Sequence, residues 1–265
     1  YLDPDFFEIL EEVSEMLSAI FNTKDTSFAI AGTGSAGMEA GLNCLVDNDE
    51  EVLILNNGYF CKRMTLMAER LKLNFSTLDF KWGTAIDLDI LEDKLKSSKI
   101  KLVAAIHAET STGVINPISE VGKLCKKYGA KFMVDCVTSF AGTEIKFDEW
   151  NIDYAYSGTQ KCLAAPPGLS PVAISENALN YIRNRKSPPS SWYLDLSAIA
   201  SYWGKEHAAH QTTPVNLVYA LREALTITFE EGIENKFQRH ELMSKALKSG
   251  LKSLCLELPI DESIA

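Results

Sequence analysis

The stretch Asp153-Tyr154-Ala155-Tyr156-Ser157-Gly158-Thr159-Gln160-Lys161-Cys162-Leu163 carries a short apolar run into a turn of small and polar residues that holds one lysine. From Ala155 to Pro171 no other charged residue occurs. A lone amine in apolar company is disfavoured as an ammonium ion, and a neutral lysine can act as a nucleophile toward a carbonyl. A lysine that simply reaches out of a loop into water fits the same stretch. The surrounding chain has to choose between them, and it does so through the elements that precede and follow the turn.

Working outward, Lys131–Val134 is an apolar strand closing on Asp135, and Leu102–Ile106 and Ser170–Ser175 are further strands. Helical spacing predicts Ser119–Tyr128 between two of these strands. Toward the N-terminus the pattern gives a helix over Asp5–Phe21 and a strand over Ser27–Ala31. A glycine stretch, Gly32-Thr33-Gly34-Ser35-Ala36-Gly37, leads into a helix from Met38 to Val46. Strands at Glu51–Leu55 and Asn74–Leu78 and helices at Lys62–Leu71 and Leu88–Leu95 continue the alternation. Strands alternating with helices of about ten residues build βαβ units, so the expectation is an α/β fold with a mostly parallel sheet covered on both faces. Beyond it lie a basic, Pro/Ser-rich connection (Arg183–Ser191), read as solvated, and an aromatic-rich segment (Trp192–Trp203). Long helical patterns follow at Asn216–Glu231 and Asn235–Leu254.

The 265 residues, 46% hydrophobic, suffice for a large core. With 36 acidic against 26 basic residues the net charge is −10, and no Lys/Arg cluster is dense enough to follow a phosphate backbone; nucleic acid is not an expected partner. No apolar run reaches the length of a membrane span and no signal peptide opens the chain. Six cysteines without a CxxC pair read as reduced thiols of a cytoplasmic protein, with no metal site. The chain begins on Tyr1 and stops in mid-flow at Ala265, as part of a longer polypeptide would, so organellar targeting stays open.

In open α/β sheets ligands bind beyond the carboxyl ends of the strands. The Gly32-x-Gly34-x-x-Gly37 turn, after a strand and before a helix, suits a phosphate held on backbone N–H groups; a tight turn with no ligand has the same glycines. A dinucleotide fits less well, because the next strand ends on Asn56-Asn57-Gly58 without the acidic residue that would hold a ribose. Asp135 is a carboxylate at the mouth of a buried strand, which needs a cation or hydrogen-bond donors; a cap for the next turn is the alternative. His107, at another strand end, reads as a structural, hydrogen-bonded histidine. A phosphate cradle, an isolated lysine and a buried aspartate together meet the needs of pyridoxal phosphate, the aspartate keeping the pyridine nitrogen protonated.

The chain resembles class V, fold-type I pyridoxal phosphate aminotransferases, closest to the alanine–glyoxylate and serine–pyruvate group. The motifs that carry this are Gly32-Thr33-Gly34-Ser35, Asn57-Gly58, Glu109-Thr110-Ser111-Thr112-Gly113-Val114, Val134-Asp135-Cys136-Val137, Ser157-Gly158-Thr159-Gln160-Lys161 and Ala165-Pro166-Pro167-Gly168. Tyr193-Leu194-Asp195 and Leu221-Arg222-Glu223 extend the match.

The resemblance implies a three-layer large domain over residues 1–234, its N-terminal arm truncated, and the start of a C-terminal small domain over 235–265, most of which is missing. It makes Lys161 the Schiff-base lysine and Asp135 the pyridinium partner. Thr33, Gly34 and Ser35 would lie at the phosphate, with Ser35 where the family often has histidine. Phe60 and Val137 would face the two sides of the ring, and Thr110 and Gln160 would be polar contacts around it. Thr212 would reach the phosphate of the neighbouring subunit in a homodimer with shared active sites. Ala209 stands where the group has a second cross-subunit ligand, a tyrosine.

The implied reaction is a ping-pong amino transfer from alanine or serine to glyoxylate or pyruvate, with small amino acids and 2-oxo acids as partners. The alternatives are another fold-type I enzyme, of the cysteine desulfurase or lyase kind, or a truncated non-catalytic cofactor-binding protein. The family's substrate-carboxylate arginine lies in the C-terminal domain, and Ala265 falls about where that domain starts.

Overall fold

A computed structural model describes residues 1–265. Helix α1 (Pro4–Phe21) starts because Asp3 accepts a hydrogen bond from the Asp5 N–H and Pro4 presets the first turn; it ends on Asn22 in the left-handed conformation. Its apolar stripe, Phe6, Leu10, Val13, Leu17 and Ile20, is buried, as the helical spacing predicts. Strand β1 (Thr26–Ala31) leads into α2 (Gly34–Cys44), which begins four residues earlier than the sequence suggests. The glycine stretch is itself the first turn of the helix. Its glycines read as a loop because glycine has low helix propensity, yet they let α2 lie close against the sheet.

The alternation continues through β2 (Glu51–Asn56), α3 (Tyr59–Arg70), β3 (Asn74–Asp79), α4 (Leu88–Ser97) and β4 (Ile100–Ile106). A two-strand hairpin, β5 (Ala108–Glu109) with β6 (Val114–Ile115), precedes α5 (Ile118–Tyr128), β7 (Lys131–Asp135), β8 (Tyr154–Tyr156) and β9 (Leu169–Ile174). Then come α6 (Glu176–Arg183), α7 (Leu196–Trp203), α8 (Val215–Glu231), α9 (Ile233–Ser253) and a short 3₁₀ turn, Glu262–Ile264. Helices α6 and α7, eight residues each, are not legible from periodicity; Ser175 and Asp195 cap them.

The main sheet has seven strands in the order β3-β2-β4-β7-β8-β9-β1. Neighbours from β3 through β8 are parallel, while β9 runs antiparallel to both β8 and β1. Consecutive residues Phe132, Met133 and Val134 are all buried, so helices cover both faces of the sheet. The expected three-layer α/β architecture with a mostly parallel sheet is what forms.

The connection after α6 departs from the expected solvated stretch. Arg183 and Lys186 are exposed, but the Arg185 side chain is buried against Asp47 (Nε to Oδ1, 3.2 Å), and its Nη1 donates to the carbonyls of Asn43 (2.6 Å) and Cys44 (3.1 Å). It ties the C-terminal end of α2 to α6.

Candidate active site

Three strand ends converge at one edge of the sheet. Asp135, the last residue of β7, pairs in register with Ile106 at the end of β4 and with Tyr156 at the end of β8. Its carboxylate is buried. Oδ1 accepts the Val137 N–H (2.8 Å) and Oδ2 accepts the Tyr156 hydroxyl (2.7 Å), but no lysine or arginine nitrogen forms an ion pair with it. Desolvation pushes its pKa up to about 6 against the pull of those two donors. A carboxylate held this way, short of a cation and facing a cavity, is matched to a ligand that brings a positive charge.

The lysine turn is built by hydrogen bonds that pin the backbone on either side of Lys161. The Ser157 carbonyl accepts the Ser170 hydroxyl at 2.6 Å, and the Thr159 hydroxyl donates to the Pro166 carbonyl at 2.6 Å. The Ala165 N–H returns to the Thr159 carbonyl at 3.0 Å. Lys161 itself is exposed at the rim of the cavity. The desolvation expected from its apolar neighbours is therefore not supplied by them: Leu163 turns inward while Ala164, Pro166 and Pro167 are exposed.

Across from the lysine, Gly34 opens α2. A Cβ there would stand 2.8 Å from Cγ2 of Val137 and 3.4 Å from the Ser157 carbonyl oxygen, so the close approach of three segments requires glycine. Thr33 makes no side-chain capping bond, which leaves the first turn of α2 open toward the cavity.

The cavity has a volume of about 320 Å³ and is lined by Thr33, Gly34, Ser35, Phe60, Thr110, Asp135, Val137, Gln160 and Lys161. Lys161, Asp135 and the glycine turn stand out in the sequence itself, and the others are positions that the family resemblance implies. Met38, Arg63, Ile106 and Ala108 line it as well and carry neither signal. Arg63 gives no signal because it sits mid-helix among other charged residues; only the tertiary placement of α3 turns it inward. Tyr156, hidden in an apolar run, escapes notice for the same reason. Thr212 lies elsewhere, exposed in the segment before α8.

His107 is buried and structural, as expected: its Nδ1 is 3.0 Å from the Ser139 hydroxyl, its ring meets Trp150 edge-on, and burial pushes its pKa down to about 4. All six cysteines are free thiols. No helix is long and apolar enough to cross a membrane.

A buried carboxylate, an aromatic ring, a lysine and the open first turn of a helix line one cavity, and the chemistry of these residues fits pyridoxal phosphate. The sequence model of the family described as aminotransferase class-V matches residues 2–258, and the chain belongs to this family. The chain is 38% identical to the (S)-ureidoglycine–glyoxylate transaminase of Bacillus subtilis (strain 168), over 98% of this chain and 67% of that protein. It is 35% identical to the alanine–glyoxylate aminotransferase of Drosophila melanogaster, over 97% and 67%. A crystal structure of an alanine–glyoxylate aminotransferase from Nostoc sp. superposes with a TM-score of 0.96 at 38% identity, covering 99% of this chain and 70% of that one. The chain thus spans about two thirds of the length of these relatives.

Proposed function

We propose that the polypeptide carrying this chain transfers an amino group from a small amino acid, alanine or serine, to a 2-oxo acid, glyoxylate or pyruvate, with pyridoxal phosphate as cofactor. The observation that carries the reading is the convergence of Lys161, Asp135 and the open first turn of α2 on one cavity. Glyoxylate stands in the names of each relative described above, which favours it as the acceptor.

Bound pyridoxal phosphate supplies an electron sink for the bonds at the amino acid's Cα. The chain's own residues divide the remaining work. Asp135 holds a proton on the ring nitrogen by offering a buried negative charge. Phe60 and Val137, both in the cavity lining, would pack against the ring. Thr33, Gly34 and Ser35 hold the phosphate, and Thr110 and Gln160 supply polar contacts around the ring. Lys161 Nζ would anchor the cofactor, and as a neutral amine it would move the proton at the amino acid's Cα. Lys161 is exposed at the rim of the cavity, so bound cofactor and the neighbouring subunit of a homodimer would have to exclude water from it.

Two further assignments belong to the same proposal. Thr212, exposed and outside the cavity, reaches the phosphate of a neighbouring subunit in a homodimer. Residues from 235 onward open a second domain: Gly232 (φ 86°) breaks the chain between α8 and α9, and Leu242, Met243 and Leu247 on α9 are exposed. Six free thiols suit a cytoplasmic location.

The test uses the purified intact protein with alanine and glyoxylate. Pyruvate and glycine should form with parallel-line double-reciprocal kinetics, and Lys161→Ala should remove both the bound-cofactor absorbance and turnover. Colour that survives that substitution would overturn the assignment, and sulfide release from cysteine without glycine formation would make the site a desulfurase.

A further inference from the structure

Arg63 lines the cofactor cavity from α3 and has no carboxylate partner within ion-pairing distance. The half-buried guanidinium loses part of its solvation with no ion pair to offset the loss. Its position is set by two contacts. Nη1 donates to Ser35 Oγ at 3.3 Å, and the guanidinium carbon stands 4.7 Å from the centre of the Phe60 ring, one helical turn earlier on the same face of α3. Ser35 belongs to the uncapped first turn of α2, so the guanidinium is held at the edge of a helix terminus whose N–H groups already attract negative charge. Its field also reaches the cavity floor, where it draws the Asp135 pKa downward.

We propose that Arg63 is a cofactor-binding residue, its guanidinium completing, with the first turn of α2, the seat for a phosphate monoester dianion. This rests on the pyridoxal phosphate reading of the cavity. Four features support it: the free donors of the guanidinium fork, the small Ser35 side chain that lets the fork approach the helix start, the Phe60 face that keeps it from swinging away, and the lack of any carboxylate in ion-pairing contact with it. A guanidinium can meet two phosphate oxygens at once, a geometry that lysine does not reproduce.

The experiment compares cofactor-free intact protein with its Arg63→Gln, Arg63→Lys and Ser35→Ala variants. Dissociation constants are measured by fluorescence quenching for pyridoxal phosphate and for pyridoxal, which has the same ring and aldehyde without the phosphate. Inorganic phosphate is titrated as a competitor. Arg63→Gln is expected to weaken pyridoxal phosphate by about 10- to 100-fold, leave pyridoxal within about twofold, and abolish competition by inorganic phosphate. Arg63→Lys should recover part of the loss, and Ser35→Ala, which removes both the steering contact and the hydroxyl placed at the phosphate, should show a loss of the same kind.

Equal weakening of pyridoxal phosphate and pyridoxal would overturn the proposal, because it would make Arg63 a packing partner of Phe60. Unchanged cofactor affinity with a raised KM for the amino acid would also overturn it, assigning the guanidinium to the substrate carboxylate. These outcomes leave the pyridoxal phosphate reading standing. Failure of that reading shows separately, as wild-type protein that does not bind the cofactor or that holds it without Lys161, and the first of these removes both.

Discussion

The Tyr156 hydroxyl donates a 2.7 Å hydrogen bond to Oδ2 of Asp135, and the two residues are register partners at the ends of adjacent parallel strands. The bond makes Tyr156 a positioning residue for the carboxylate and opposes the desolvation that raises its pKa. Tyr156→Phe keeps the ring packing and deletes the donor. A hydrogen bond to a charged acceptor contributes roughly 1.5–3 kcal/mol, so the acid limb of the kcat/KM profile is expected to move up by about one pH unit or more. The alkaline limb, set elsewhere, should stay in place. A uniform loss of activity with no shift of the acid limb would show that Tyr156 acts through packing alone.

Asp135→Asn is expected to have opposite effects on stability and function. The carboxyl pKa is raised from 3.8 to about 6 in the cofactor-free fold, so the folded state holds the proton more tightly than the unfolded chain. Stability is therefore lost as pH rises from about 3.8 through 6, and the loss, about 3 kcal/mol, is complete above it. Asparagine never ionises. Cofactor-free Asp135→Asn should melt several degrees above wild type at pH 8, with the gap closing toward pH 4, while cofactor retention falls. Thermal unfolding across pH checks the sign.

Gly58→Ala places a methyl group where the buried Glu109 side chain already stands. The backbone at Gly58 is extended (φ −176°), so the obstacle is space and not conformation. Glu109 is also held by the Ser111 N–H and hydroxyl, at 3.0 and 2.7 Å, and cannot move freely. Overpacking of this kind costs about 1–3 kcal/mol. A double-mutant cycle with Glu109→Ala should show a favourable coupling, since the second substitution removes the obstructing atoms.

Arg185→Met tests the staple between α2 and α6. Removing the cation leaves Asp47 nearly buried without its partner and two carbonyls short of a donor, a loss of about 3 kcal/mol. The staple lies at the far end of α2 from Gly34, about 16 Å along the axis. Activity per folded molecule should hold at temperatures where the variant remains folded, while its thermal midpoint drops.

Much of this protein was determined by its sequence alone. The alternation of apolar strands with amphipathic helices is local chemistry, so the α/β class, the mostly parallel sheet and the order of most elements follow from periodicity, while α6, α7 and the β5–β6 hairpin do not. The isolated Lys161, the strand-ending Asp135 and the glycine turn are visible for the same reason, since each breaks the pattern of its own segment. Tertiary structure alone decided the rest. Gly34 and Gly37 look like a loop, yet they open a helix, because close approach to Val137, Ser157 and the sheet outweighs their low propensity. Arg185 looks like a charge on a solvated connection and Arg63 like an ordinary helix-surface charge, yet packing buries one on Asp47 and turns the other into the cavity. Lys161 shows the reverse: its own stretch has no other charge, yet the lysine stands at an exposed rim. Burial is a property of what packs against a residue from elsewhere in the chain, and no stretch of sequence can supply that for itself.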